Sequence, residues 1–497
     1  MLLFWLEPAM PKRLSPTVSL AAIAIVFLIL AIASGATRAP WCDEAGFAES
    51  ALQINKIGRM AVLATAMAPV EDPRTIGQDR YVYWVLPLDI VAQAAWYRIV
   101  GFGMVQMRLL ATLWGLVALG AWWVILKRLG AGPWLGIATC ALIAMDYSFV
   151  RSGSEGRMDM MSAALGFAGI AVFLTLEGQG YTKAILAGSA LTAASSFTHP
   201  IGGMLSTAAL GVTILWFSRG RFRLWHPLVA AVPYFVFAAG WGIYILQAPD
   251  LFRAQLLNYT GSRLNAWHDP LRSIWNEFSQ RWGKVFGITE GSGLKRIRAL
   301  VLAGYVAGMV AGIVRFRKLK AAGFGPILAI AMLDLFLFCF FENTKQAPYL
   351  IYVLPWMAAL LAVLAVEHWK PFGWAVFSSV VAIQVAGTAL VISRLEYQRE
   401  YLPAIRIIEA RGGEVTGDAQ LGFGLGFTPK FVDDRRLGYY TNAKPKLIAV
   451  DGDYLEFFER IRAEKPTEAR FIDGKLARCR LVFQNSLYKI YEDPDPQ

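Results

Sequence analysis

Two adjacent carboxylates, Asp43 and Glu44, stand in the run Trp41-Cys42-Asp43-Glu44-Ala45-Gly46-Phe47. A carboxylate placed there can take a proton from a hydroxyl, the work of a general base. The same pair also suits a helix start, with Asp43 as N-cap and Glu44 in the first turn. A second charged set, Arg151-Ser152-Gly153-Ser154-Glu155-Gly156-Arg157-Met158-Asp159, brings Arg157 and Asp159 to the start of an apolar run. An arginine beside free helix N–H groups is a natural place for a phosphate; the alternative is an Arg–Asp pair in a solvated loop, worth little. Three smaller sets follow. His199, between Thr198 and Pro200, reads either as a hydrogen-bonded turn residue or as a substrate contact. Lys345, in Glu342-Asn343-Thr344-Lys345-Gln346, is a point charge for a phosphate or an ordinary loop lysine. Arg80, before Tyr81, carries the same two readings. Asp334 lies deep in an apolar run, where a carboxylate is a functional suspect or a bond to a neighbouring helix.

What must position these residues is a membrane fold. Of 497 residues, 56% are hydrophobic and 17% charged, against about 45–50% and about 25% in soluble proteins. That balance excludes a soluble enzyme, a disordered chain and a nucleic-acid binder. Stretches long enough to span lie at about 16–36, 106–127, 131–150, 159–177, 181–198, 201–218, 227–247, 297–314, 323–341, 347–366 and 372–393. The first is too long for a signal-peptide core and reads as a retained helix. The run 81–100 is ambiguous, because it contains Asp89, Gln93 and Arg98. Charge settles it. Cytoplasmic loops are rich in Lys and Arg. If 81–100 lies on the outer surface as an interfacial or re-entrant helix, the basic loops at Lys127-Arg128, Arg219 to Arg223 and Arg315 to Lys320 all fall inside, with Lys12, Arg13, Lys183 and Lys370. The expected architecture is therefore an α-helical polytopic membrane protein with about eleven transmembrane helices and one interfacial helix, N-terminus cytoplasmic and C-terminus outside.

This parity brings 37–105, 151–158, His199, 248–296, 342–346 and the chain after 394 to one face. Trp267, His268, Trp275 and Trp282 suit a membrane–water interface there. From Arg394 the apolar runs shorten and turn signals appear. Leu447 to Val450 and Leu481 to Tyr491 read as strands, and Tyr454 to Glu464 as a helix. The expected division is 1–393 in the membrane and 394–497 as a small α/β domain outside it. The net charge of +12 serves mainly as an orientation signal. The four cysteines have no paired spacing and form no Cys/His metal cluster; a Cys42–Cys479 disulfide would require both to face an oxidising compartment.

At these residues the chain resembles a known group. The acidic pair one loop after the first helix, a Tyr-Trp interfacial segment, an Arg-Leu helix ending in Lys-Arg and the Arg-x-Asp helix start occur in order. This resembles the GT-C fold integral membrane glycosyltransferases, family 39, with its protein O-mannosyltransferase and aminoarabinose transferase-like branches. The resemblance covers about residues 1–215, with a later feature at Tyr349-x-x-Tyr-Val-Leu-Pro-Trp356. It implies transfer of a monosaccharide from a polyprenyl-phosphate donor to an envelope lipid, glycan or protein, at the periplasmic face of a bacterial inner membrane. It implies Asp43 and Asp159 as catalytic residues, with Glu44, Arg157, Arg80, His199 and Lys345 binding substrate. No cofactor is required by the motif, and a divalent cation at the paired acids is left open. The segment Gln78-Asp79-Arg80-Tyr81-Val82-Tyr83-Trp84 lacks the lysine of the Lys-Pro-Pro-Leu element, so Arg80, Lys345 or Arg157 would replace it. His199-Pro200 also departs from the main branches. The rival reading is a transporter or flippase of a lipid-linked glycan, which Asp334 favours; the absence of repeats and the polar clusters at one interface argue for the enzyme.

Overall fold

The computed structural model describes residues 15–65, 75–218, 220–261, 269–290, 293–368 and 372–495; Lys12, Arg13, Arg219, Trp267, His268 and Lys370 lie outside them. The helices run α1 (Pro16–Thr37), α2 (Cys42–Ile57), α3 (Pro87–Val100), α4 (Met104–Arg128), α5 (Pro133–Met145), α6 (Tyr147–Gly153), α7 (Met158–Leu176), α8 (Tyr181–Thr198), α9 (Pro200–Trp216), α10 (His226–Ile245), α11 (Pro249–Gly261) and α12 (Pro270–Asn276). They continue as α13 (Arg298–Val314), α14 (Phe316–Ala321), α15 (Gly325–Phe341), α16 (Leu354–Val363), α17 (Phe372–Ser393), α18 (Leu402–Arg411), α19 (Gly422–Leu425), α20 (Gly452–Glu464) and α21 (Pro466–Arg478).

Every apolar stretch of the sequence is helical. Among the described residues, six helical runs suffice by length and composition to cross a membrane, and a seventh if α5 and α6, bent by 64°, count as one span. The bend has a visible cause: Asp146 ends α5 and caps α6, accepting the Ser148 and Phe149 N–H groups at 2.8 and 3.2 Å. Starts elsewhere follow the same chemistry. Ser15 accepts the Val18 N–H at 3.2 Å and Pro16 opens α1. The segment 81–100 yields only the 14-residue α3, roughly 21 Å long and too short to span.

The membrane core packs α7 against α4, α8 and α9. Small residues allow the approach. A Cβ on Gly169 would lie 2.8 Å from the Gly188 carbonyl, and one on Gly188 3.0 Å from that of Gly169. Trp122 and Trp356 meet edge to face at 4.6 Å in its centre.

Beyond α18 lies a five-stranded sheet of order β2-β1-β3-β5-β4: β1 (Val415–Thr416), β2 (Phe431–Val432), β3 (Leu447–Val450), β4 (Arg480–Gln484) and β5 (Lys489–Glu492). β1 pairs parallel with β2 and β3, while β5 is antiparallel to β3 and β4. The stretch 481–491, read as one strand, is a hairpin. Asn485 turns it by accepting the Leu487 and Tyr488 N–H groups at 3.1 and 2.8 Å. The helix α21 was missed. This unit shares a core with the first loop: Ala45 and Ala64 pack with Tyr401, Ile405, Phe431 and Ile490. Thr65 pairs with Asp433, whose N–H reaches the Ala64 carbonyl at 2.6 Å.

Candidate functional site

α2 begins with Trp41 at the N-cap position, without a side-chain cap bond. Asp43 is thus not the N-cap but sits in the first turn, its side chain 42% exposed. It pairs with Arg157 Nη1. Arg157 stands at the N-cap position of α7 and donates through Nε to Asp159 Oδ2 at 2.7 Å. One buried guanidinium therefore joins the two carboxylates that sequence reasoning singled out. It also lies over the Trp41 ring at 5.0 Å. Burial opposes its charge, but Asp159 and Asp43 more than offset that and hold Arg157 firmly protonated. Two buried polar atoms here lack a hydrogen-bond partner: Trp41 Nε1 and Asp159 Oδ1. So does Nε1 of Trp84, which packs beside Gly46 and Phe47.

Glu44, expected from the resemblance to bind substrate, has its partners within the protein. It is fully buried. Arg108 Nε and Nη2 grip its two oxygens at 2.8 and 2.5 Å, and the Gly156 N–H donates to Oε1 at 2.8 Å. Arg108 Nη1 also donates to the Gly35 and Arg38 carbonyls at 2.7 and 2.8 Å. Glu44 is the clamp that fixes the end of α1, the start of α2 and the loop carrying Arg157. Gly156 is required there, since a Cβ would meet Met107 Cε at 1.9 Å. Glu155, beside it, accepts Arg38 and Arg151 at 2.7 Å each. Burial opposes its ionisation, yet the arginines hold its carboxyl down at about 2.

Lys345, expected from the resemblance to bind substrate, also has partners within the protein. Its Nζ is turned inward, donating to the Phe338 carbonyl at 2.6 Å and pairing with Glu277 at 3.3 Å. Arg281 pairs with Glu277 and Glu342 in the same buried group. Two cations and two carboxylates balance, which leaves no surplus charge for a phosphate. His199 is likewise buried: its Nδ1 accepts the Gly202 N–H at 3.2 Å and caps α9. Tyr352 OH lies 3.4 Å from that nitrogen and 3.4 Å from the Asp159 carbonyl, so His199 braces the layer around Asp159. Arg80 is exposed at the end of the turn before α3.

Sequence reasoning passed over Asp89. On α3, Asp89, Gln93 and Tyr97 recur every four residues on one face. Gln93 Nε2 donates to Asp89 Oδ2 at 2.7 Å and to the Gly156 carbonyl at 3.3 Å, and Tyr97 OH donates to Gln93. This stripe docks α3 onto the loop of Arg157. Its period was the available signal in an otherwise apolar helix.

Two carboxyls make stability depend on pH. Burial pushes Asp89 up to about 7, with Asp159 adding to the shift. Burial also pushes Glu49, which accepts the Leu63 and Ala64 N–H groups at 2.8 and 3.0 Å, to about 7. The unfolded chain loses these protons near 3.8 and 4.5, while the folded protein keeps them to about 7. Folded stability therefore falls as pH rises through that window. Melting followed from pH 5 to 7.5 is expected to decline, and Glu49→Gln to flatten the decline; an unchanged slope contradicts the assignment.

Asp43 and Asp159 already share the Arg157 guanidinium. Among the described residues the group with metal-ligand spacing is instead Cys42, Asp418 and Asp453, whose ligand atoms lie within 4.8 Å of one another. Arg435 Nη2 donates to Asp418 there at 3.1 Å. Cys42 and Cys479 are both free thiols, not a disulfide; burial and the nearby Asp418 and Asp43 push the Cys42 thiol up.

No protein-family model and no curated protein matches the sequence. The fold does match solved structures. ArnT from Cupriavidus metallidurans in the apo state superposes with a TM-score of 0.60 at 15% identity, over 96% of this chain and 98% of that one. ArnT from the same organism bound to undecaprenyl phosphate gives 0.57 at 15% identity over the same shares. The Archaeoglobus fulgidus oligosaccharyltransferase in the apo form gives 0.51 at 10% identity, over 97% of this chain and 75% of that one. The chain is thus a polytopic membrane protein with the GT-C fold of these glycosyltransferases.

Proposed function

We propose that the protein transfers a monosaccharide from a polyprenyl-phosphate donor to an envelope acceptor at the periplasmic face of a bacterial inner membrane. The observation that carries this reading is the half-exposed Asp43 held by the buried Arg157–Asp159 pair. Asp43 takes the proton of the acceptor hydroxyl. The acceptor oxygen bonds to the anomeric carbon, the carbon–oxygen bond to phosphate breaks, and its electron pair leaves with polyprenyl phosphate. Inversion follows. The unpartnered Asp159 Oδ1, Trp41 Nε1 and Trp84 Nε1 suit sugar hydroxyls, because each buried polar atom then gains a bond. Among the three cations considered for the leaving phosphate, Arg157 and Lys345 are already balanced by carboxylates, which favours Arg80. The residues 394–497 form the periplasmic domain over α2 and 1–393 the membrane module, with no cofactor in the chemistry. ArnT bound to undecaprenyl phosphate supports the donor class.

The test is a purified protein in liposomes with a synthetic, sugar-labelled polyprenyl-phosphate monosaccharide and envelope lipids. Labelled acceptor together with free polyprenyl phosphate supports the proposal; the intact donor moved across the bilayer without cleavage contradicts it. The second outcome is the transporter reading, which the unpartnered Asp334 favours. The cavity beside Asp334, lined by Ser206, Tyr352 and Trp356, measures about 10 Å³, room for one water and no substrate. Orientation is checked separately. Reporter fusions after Arg128 and Arg223 are expected to read cytoplasm and one after Arg157 periplasm; a periplasmic signal at Arg223 overturns the topology.

A further inference from the structure

Three guanidiniums, those of Arg38, Arg151 and Arg298, lie beside α6. Arg298, at the start of α13, lies over the Tyr147 ring at 4.5 Å and the Phe286 ring at 5.7 Å. Stacking occupies the faces of a guanidinium and leaves its N–H edge free. Arg298 Nη2 is buried and has no hydrogen-bond partner. Arg151 is its charged neighbour. Arg151 and Arg38 both reach the same oxygen, Glu155 Oε1, at 2.7 Å. The other carboxylate near Arg298 is Asp146, whose oxygens already accept Ser148 N–H, Phe149 N–H, Tyr305 OH and Gln384 Nε2. Three positive charges thus face two carboxylates, Glu155 and Asp146, which leaves one positive charge in surplus. Arg38 and Arg151 keep side-chain exposures of 18% and 32%, so an anion can reach them.

The surroundings identify the anion. Tyr305 of α13 and Gln384 of α17 both bond Asp146 Oδ2, so the two helices meet at that level below the arginines. Their outward residues are apolar and bare: Leu300 is 63% exposed, Val310 51% and Leu390 49%. A charged site bordered by such helix faces suits a molecule with a phosphate and hydrocarbon chains. None of the three arginines pairs with Asp43 or Asp159, whose partner is Arg157. The site is therefore assigned to the surrounding bilayer and stands independently of the transfer reaction.

We propose that Arg38, Arg151 and Arg298 form a binding site for the phosphate headgroup of an anionic membrane phospholipid, its acyl chains lying along α13 and α17. The bound phosphate supplies the partner that Arg298 Nη2 lacks and relieves the repulsion between Arg151 and Arg298.

The test uses the full chain in phosphatidylcholine nanodiscs, titrated with phosphatidylglycerol and read by native mass spectrometry. Saturable phosphatidylglycerol binding is expected, weakened about tenfold or more in the double variant Arg151→Gln, Arg298→Gln and unchanged in Lys295→Gln. Equal occupancy by the two lipids, or full phosphatidylglycerol binding by a folded double variant, overturns the site. Photoactivatable phosphatidylglycerol on the unmodified protein gives a check free of folding effects. Labelling of 147–151 and 296–300 supports the proposal, and labelling confined to other helices overturns it. Undecaprenyl phosphate is the second ligand. If it alone binds, and depends on the same arginines, the bulk-phospholipid assignment is wrong and these residues hold the donor lipid.

Discussion

Asp43→Asn is expected to lower sugar transfer by about 10²–10⁴-fold, the usual contribution of a general base, in a protein that melts close to the wild type. Asparagine keeps the shape of the side chain but takes no proton at neutral pH. Arg157 keeps Asp159 as its buried partner, and the half-exposed Asp43 position stays open to water, so the loss of this pair costs less than that of a fully buried one. Asp159→Asn differs. Its side chain is 1% exposed, so Arg157 keeps its charge in a buried place with one partner fewer, and both rate and melting temperature should fall. Transfer from labelled donor, set beside melting of the same preparations, separates the two. Full activity in Asp43→Asn removes that residue from the chemistry.

Glu44→Ala has the larger effect on stability. The variant strands the buried Arg108 guanidinium and the Gly156 N–H together. Breaking a buried ion pair on one side costs about 3–5 kcal/mol. The expected protein accumulates poorly or melts far below wild type, and Glu44→Gln, which keeps the shape and an acceptor, lies between. If Glu44 instead held substrate, the alanine variant would melt normally and show a raised KM. That result contradicts its role as a clamp.

The contrast between Asp43 and Glu44 shows what was legible in the residue order. Charge counting over loops fixed which segments share a face, and the structure brings Asp43, Arg157 and Asp159 together across more than a hundred residues. Adjacent carboxylates in one helical turn must point about 100° apart, yet nothing in their order says which one meets solvent. The answer lies in Arg108, on α4, which the sequence presents as an arginine at the start of a membrane helix. The partners of Lys345 are illegible in the sequence for a related reason. Its partner Glu277 sits on a π-helical turn 68 positions earlier, and no local pattern links them. Asp89 and Gln93 mark α3 as a helix of mixed polarity, but their order does not say that they meet the Gly156 loop. The helical stretches themselves were legible because a run of about twenty apolar residues has few other uses. The hairpin at Asn485 was not, since one asparagine between two apolar runs is a weak turn signal.

The central claim is that this fold cleaves a lipid-linked sugar and passes it to an envelope acceptor. It is tested most directly by mass spectrometry of lipids and envelope glycans in a deletion strain, complemented with the wild type or with Asp43→Asn. One sugar is expected to disappear from the envelope while its polyprenyl-phosphate donor accumulates, with the wild type alone reversing both. An unchanged envelope without donor accumulation, or full rescue by Asp43→Asn, contradicts it.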